Sequence, residues 1–529
     1  MDFRHQQYGI TDSNIMERNE KKFSPIVTKT KLPLIGYRHF YALSGFLIFF
    51  SNYMQRSSLG IAIVAMVNQT AINKDNLLIS NATSCPFGDN LTVDNVHHKS
   101  TGPFNWSPEL QGYILGTQYL GYLVVQAVTG KISEHVRIKV LLITGLILSA
   151  LATIATPFAS YWSPYCVIGM ILVRGAAHGV LHSPCFGIMG NWFPTTERGF
   201  LSTFTVTGQP AGAFIGVLLT GWICDVPELQ WPAAFYVTGA FTLLIAVLFI
   251  FTFVEAPHLH SKISQEELNH ITGSDDTKTE TKEESIQVPW RQMFTSKRVY
   301  ALMIGTIADS WQSSYFLTVH PTYIGTVLHF NLTENGYVSS FPYLMIIIFG
   351  LCASVTSDWL DRNNYIGTDK LRKGCDLLGN LGLSLSFLGA YFARCDHILN
   401  ILCFGLAFFF VGICMPGSKV AGVDMTPRYA GQIIAITTTV SSFANIIAPI
   451  ITGYITKHAT IEEWHTVFFM NMAVFMTCSL TFVIFGSANV RTWNFPENNS
   501  QKPEQKKKSP TENNSQKPEQ KEKSPIENN

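Results

Sequence analysis

The chain has 529 residues, 47% of them hydrophobic and only 14% charged, with a formal net charge of +1. A soluble globular chain carries about 25% charged residues, so this composition excludes an ordinary soluble domain. The near-zero net charge also removes the basic field that nucleic-acid binding requires. The ten cysteines contain no C-x-x-C pair and fall mostly in apolar stretches, with Cys85 alone in a polar loop. That pattern indicates neither a zinc site nor a disulfide framework.

Residues 1–37 are polar and read as a cytoplasmic tail, not a signal peptide, so the apolar segment opening near Phe40 serves as the first signal-anchor. Segments of about twenty apolar residues follow, enough to cross a ~30 Å hydrocarbon core at ~1.5 Å per residue. Six are expected within 38–254, at 40–67, 110–130, 138–158, 163–190, 201–224 and 233–254. Residues 255–298 are rich in Asp, Glu, Lys and Thr and form a linker that cannot enter a bilayer. Six more spans are expected within 299–486, at 299–325, 335–357, 375–394, 398–417, 430–456 and 466–486. This pattern predicts an all-α membrane protein with twelve transmembrane helices in two pseudo-symmetric six-helix bundles. In 487–529 the run starting at Glu497 repeats at Glu512, a period of 512 − 497 = 15 residues, and this tail is expected to be disordered.

Loop charges set an expected orientation. Loops after even-numbered spans hold ten Lys and Arg, from Lys131 to Arg428, against four (Lys74, Lys99, Arg394 and Lys457) after odd-numbered spans. The positive-inside rule then puts both termini in the cytoplasm. The outer loop 69–109 agrees, because it carries glycosylation sequons at Asn81, Asn90 and Asn105, the last close to the membrane. Asn498 and Asn513 also match the sequon, but this topology leaves them cytoplasmic.

Ionisable groups inside spans each cost about 2.5–3.5 kcal/mol at a helix centre, so they mark function or buried pairs. Arg56 lies mid-way along the first span and is a candidate anion-binding arginine, its fork matching carboxylate or phosphate oxygens; the alternative is a pair with a buried acid. Arg174, His178 and His182 recur every four residues and share one face of the fourth span. They are expected to line a central cavity, with Arg174 adding positive potential and His178 a polar or proton-sensitive contact; the alternative is neutral histidines satisfied by backbone. Asp309 in span seven is expected to counter Arg56 or Arg174, to bind a coupling Na⁺, or to be plain polar lining. His320 reads as a boundary residue. Glycines and prolines within spans, such as Gly116, Gly121, Gly221 and Pro449, allow close helix approach.

No G-x-S-x-G, H-E-x-x-H or Walker A motif occurs, so the chain is expected not to be an enzyme and to run on a gradient or voltage. No cofactor is expected beyond Na⁺ as a coupling ion. The expected partners are a small anionic substrate and the lipid bilayer, not nucleic acid, for a protein acting as a monomer.

Several motifs are shared with a known family. Residues 55–68 (Gln-Arg-Ser-Ser-Leu-Gly onward) match an arginine-bearing first helix, and Trp192-Phe193-Pro194-Thr195-Thr196-Glu197-Arg198 matches W-x-P-x-x-E-R. Pro321-Thr322-Tyr323, Asn335-Gly336 and the run from Asp424 to Gly431 match further along. Over 37–494 the chain resembles the anion:cation symporter family of the major facilitator superfamily, which includes sialin, vesicular glutamate transporters and type I sodium-phosphate cotransporters. The resemblance implies the major facilitator fold. Sialin-like and glutamate-type members carry R-x-x-x-G-x-x-E-G on the fourth helix. Here Gly175 and Gly179 align, but Ile171 stands at the Arg position, His178 at the Glu position, and Phe186 at a later histidine. In lacking that Glu the chain is most similar to the phosphate-cotransporter group. The resemblance implies a secondary transporter of inorganic phosphate or organic anions such as urate, Na⁺-coupled or voltage-driven, in the plasma membrane. The alternatives are a proton-coupled exporter of acidic sugars or amino acids in a lysosomal or other endomembrane, and a non-transporting receptor or scaffold of transporter fold.

Overall fold

The computed structural model describes residues 36–68, 102–194, 197–272, 289–363, 365–426, 429–458, 460–491 and 493. It is built from long helices: α1 (Tyr37–Met66), α2 (Pro108–His135), α3 (Ile138–Trp162), α4 (Pro164–Trp192), α5 (Arg198–Val206), α6 (Gly208–Asp225) and α7 (Gln230–Thr252) form the first half. A short linker helix, α8 (Gln265–Thr272), follows. The second half holds α9 (Lys297–Ser314), α10 (His320–Thr326), α11 (Leu332–Arg362), α12 (Thr368–Ala393), α13 (His397–Cys414), α14 (Ser418–Met425), α15 (Ala430–Ile455) and α16 (Ile461–Phe485). α5 and α6 run on as one span, as do α13 and α14. α9 and α10 are joined by a π-helical turn, Tyr315–Val319. Helix starts are chemically marked: Ser107 caps α2 ahead of Pro108, and Asn331 and Thr460 form capping boxes with Glu334 and Glu463.

Among the described residues, nine helices are long and apolar enough to cross a membrane. Twelve were expected. The other three, α1, α2 and the broken α9–α10, are long enough but carry Arg56, Gln118 and Asp309, which lower their mean hydropathy. The polar spans are therefore the ones with polar work to do, since side chains of this kind avoid lipid.

Each half has its own core, one around Tyr41, Phe49 and Trp192, the other around Phe316, Phe387 and Phe468. The halves meet tightly on the side that bears loop 69–101. There α2 lies on α15, with Gly112 against the Pro449 carbonyl, and α6 lies on α11, with Gly221 against Gly336. Gly60 of α1 rests on the backbone of Leu317 and Thr318. Among the described residues, the hydrogen bonds and ion pairs found crossing between halves, Thr333 to Asp225 at 2.9 Å and Lys457 to Glu109 at 2.6 Å, lie on that side too. The molecule is closed at the loop side.

On the opposite, linker side, each half is latched within itself. Buried Arg38 pairs with Glu197 at 2.7 Å and with buried Glu267 of α8 at 3.5 Å, while His270 reaches Glu197 at 3.3 Å. In the second half, Arg372 pairs with Asp424 at 2.7 Å. Partial burial works against the charge on Glu197, but the hydrogen bond and charge of Arg38, joined by His270, hold its carboxyl below the usual range. A lowered carboxylate contributes stability that is present above its unfolded value, about 4.3, and lost as pH falls through the lower folded value. Hydrogen exchange across Gln265–Thr272 should thus stay slow down to about pH 4 and rise below it, and Glu197→Gln should make it fast at neutral pH. Unchanged exchange in that variant would remove the latch role.

Two expectations fail here. His320 is no boundary residue: it is fully buried against Phe404, at 4.5 Å between rings, and Phe316. The extra residue of the π turn rotates α10 and carries the ring inward. Cys395, between α12 and α13, is disulfide-bonded, although sequence spacing gave no framework. Asn81, Asn90 and Cys85 lie outside the described residues. Asn105 is exposed just ahead of α2.

Candidate functional site

Arg56, Arg174 and His178 come together where α1, α2 and α4 cross. The crossing is close because Gly175 has no side chain: a Cβ there would collide with the backbone carbonyl of Gln118 on α2. This approach brings the Gln118 amide oxygen onto Nη2 of Arg174. Arg174 is fully buried, and its Nε and Nη1 have no hydrogen-bond partner. His178 is also fully buried and donates from Nε2 to the Gln55 amide oxygen at 3.1 Å. Gln55 in turn donates to Thr242 at 2.6 Å. That bond fixes the proton on Nε2 and leaves Nδ1 of His178 as a bare acceptor.

Arg56 is 6% exposed and sits in an aromatic box, 5.1 Å from the ring centre of Tyr53, 5.2 Å from Tyr119 and 5.0 Å from Tyr122. Its Nε and Nη2 have no hydrogen-bond partner, nor have Asn52 Oδ1, Gln118 Nε2 and the Tyr119 hydroxyl nearby. Ring faces attract a guanidinium by about 0.5–2 kcal/mol each, which orients it but does not neutralise it. Arg56 lies in the field of Arg174. Two like charges in one buried site are costly unless an opposite charge or water answers them.

The expected acid is not there. Asp309 does not pair with Arg56 or Arg174. Its carboxylate accepts from Ser418 at 2.9 Å and from Gln312 at 3.2 Å, within the second half. The reason is placement, because Asp309 faces α14 and α16 instead of the gap between the halves.

Access is graded along α4. Arg174 and His178 are fully buried, His182 is half-buried beside Gln126, and Phe186, edge-on to Phe49, is 46% exposed. Exposure grows toward the linker side, and Tyr53 and Tyr122 beneath Arg56 are likewise half-buried. Tyr53 also packs with Leu317 and Tyr343 of the second half. Arg56 therefore stands at the buried end of this gradient, where α1 meets the second half, with Arg174 and His178 more deeply buried beside it. Sequence reasoning missed the three tyrosines and Gln118. Polar-aromatic residues at 119 and 122, one turn apart and facing an arginine, were the available signal.

The arrangement can do electrostatic work on an anion and has no nucleophile–base pair. The Major Facilitator Superfamily profile matches residues 45–368 and 368–525. Human sialin is 28% identical over 88% of this chain and 92% of its own length. Mouse sodium-dependent phosphate transport protein 1 is 28% identical over 83% of this chain and 91% of its own. A bacterial homologue of the human lysosomal transporter Spinster, solved in an inward-facing, unoccupied conformation, superposes with a TM-score of 0.61 at 12% identity, covering 84% of this chain and 98% of that one. The chain is a multi-pass membrane protein of the Major Facilitator Superfamily, in its group of sialin-like and phosphate-cotransporter-like transporters.

Proposed function

We propose that the protein is a secondary transporter of small anions that works by alternating access. The observation that carries this reading is the pair of buried guanidiniums, Arg56 and Arg174, in one polar cluster with no acid paired to them among the described residues. An anion entering the cleft answers both charges. Arg56 contacts it directly from the tyrosine box; Arg174 and His178 act from behind, Arg174 as potential and His178 as the Nε2–H donor that keeps Gln55 in place. Inorganic phosphate and organic anions such as urate suit a bidentate guanidinium. Phosphate is also in keeping with the name of the mouse relative.

A charge of −1 gains ~2.3 kcal/mol per 100 mV on leaving a negative cytosol, so voltage alone drives export, whereas uptake needs a coupled cation such as Na⁺. Both termini are cytoplasmic and the protein resides in the plasma membrane. The bonded Cys395 on the loop side supports this orientation, since disulfides persist in oxidising compartments.

The test is flux into proteoliposomes holding the purified full chain. Labelled inorganic phosphate, urate, sialic acid and glutamate are offered with and without Na⁺, under imposed voltage and under a proton gradient. At least one anion should accumulate and be competed by a second. Uptake driven by acid and confined to sialic acid would move the protein to the lysosomal, proton-coupled reading. No flux with any anion would leave a non-transporting scaffold.

A further inference from the structure

The second half holds two buried acids that the anion site does not use. Asp309 on α9 is 3% exposed and Asp376 on α12 is 1% exposed. Ser418, at the start of α14, joins them. Its hydroxyl donates to Asp309 at 2.9 Å, and Gly417 before it packs on Cα and Cβ of Asp376. Ser479 of α16 donates to Asp376 at 2.6 Å, and Asn380 turns its amide nitrogen to the same carboxylate oxygen at 3.4 Å. Each carboxylate lies in the field of the other.

The remaining oxygens are what make this more than an acidic cluster. Oδ1 of Asp376 is met at ordinary bonding distance by nothing among the described residues, although the Ser418 hydroxyl and N–H lie toward that carboxyl, and the amide oxygens of Asn380 and Gln312, both buried, have no partner while their nitrogens reach the two acids. Three oxygens, two of them neutral carbonyls, are thus left as bare acceptors on the side chains of this cluster. Two carboxylates in one buried site do not both stay ionised without added positive charge. Lys419 on α14 supplies part of it, reaching Asp309 with its field while its own side chain is exposed. The other titratable or charged groups facing the pair are Cys414, Cys478, Cys375 and Arg372, and Arg372 is already committed to Asp424. One positive charge is still owed.

We infer that Asp309 and Asp376, with Ser418, Ser479, Asn380 and Gln312, form a binding site for one monovalent cation, Na⁺ or a proton, in the half opposite the anion site. Oxygen ligands suit a hard cation, and the set contains only two acids, which fits a single charge. As a coupling site it rests on the transport reading above; as a binding site it does not. The spatial separation has a mechanical consequence: the anion answers the positive charge of the first half and the cation the negative charge of the second, so each half loses its buried charge only when its own ligand is seated.

The experiment uses the purified full chain in detergent, without any anion. Saturable binding of radiolabelled Na⁺ is measured, and proton uptake is followed with a pH indicator on a step from about pH 8 to about pH 5. Wild type should bind one Na⁺ or, failing that, take up one proton more than Asp376→Asn over the same step, the histidines elsewhere contributing equally to both. Asp376→Asn and Asp309→Asn should each weaken that uptake about tenfold or more. Asn380→Ala removes a neutral oxygen and keeps both acids, so it should weaken Na⁺ binding severalfold while leaving proton uptake in place, which separates the two cations. Should the aspartate variants fail to fold, Asn380→Ala and Ser479→Ala still decide: wild-type behaviour of both in both assays overturns the site. Failure of every anion in the flux panel with cation uptake intact would sink the transport reading and leave this site standing.

Discussion

Arg56→Gln is expected to abolish anion flux while surface expression stays at the wild-type level. Truncating one partner of a buried charge pair costs about 3–5 kcal/mol of stability, because the other charge is left uncompensated. Arg56 has no such partner. It stands among Tyr53, Tyr119 and Tyr122, in the field of Arg174, with two of its nitrogens unbonded. Glutamine removes a like-charge repulsion and orphans no acid, so folding should tolerate it. Binding should not: losing a buried charge contact to an anion costs about 2–5 kcal/mol, roughly 30- to several-thousand-fold in affinity. Arg56→Lys separates charge from shape. It keeps the point charge and loses the planar fork, so flux should fall partway, with a larger loss for a bidentate oxyanion than for a monodentate one. Surface biotinylation beside a flux assay measures both terms. Normal flux in Arg56→Gln would remove the arginine from the mechanism. Loss of surface protein instead of flux would make it a structural residue.

Much of the architecture was legible because a bilayer imposes one length on every span. Pro108–His135 and Pro164–Trp192 start where a serine precedes a proline, as helix-start chemistry predicts. Arg56, Arg174 and His178 stood out because charge in an apolar run is expensive, and the structure brings all three into one cluster. What periodicity could not supply was rotation about the helix axis across the gap. Asp309 faces Ser418 within its own half, and the facing of its helix decides between an ion pair and a separate acidic site. Asp376 went unnoticed because it lies at the very edge of the span expected at 375–394, next to the loop charges Lys370, Arg372 and Lys373, whereas Thr368–Ala393 is one helix and sets it two turns inside. The burial of His320 has the same origin, being a long-range packing fact with no local pattern.

Gly112→Trp should arrest the transport cycle by wedging the loop side open. A Cβ at Gly112 would stand 2.6 Å from the Pro449 carbonyl oxygen and 3.3 Å from Cα of Ile450, and backbone cannot turn aside as a side chain can. Gly116, one turn on, meets the Ile446 carbonyl at 2.9 Å, so α2 and α15 touch along a seam with no slack. The Lys457–Glu109 pair spans the same seam but is largely exposed, and surface pairs are worth about 0–1 kcal/mol, too little to pull a wedge shut. Overpacking costs about 1–3 kcal/mol, enough to shift the balance between closed and open forms by roughly 5- to 150-fold. The open form has no such contact to lose, so the variant should fold and reach the surface. Thr322 lines a cavity of about 30 Å³ with Gly112 and Pro449 at the sealed end. A Thr322→Cys substitution should therefore be labelled slowly by an impermeant maleimide from the loop side in the otherwise wild-type chain and rapidly once Gly112→Trp is added, while flux falls in step. Equal labelling rates with normal flux would mean that this seam is not the gate.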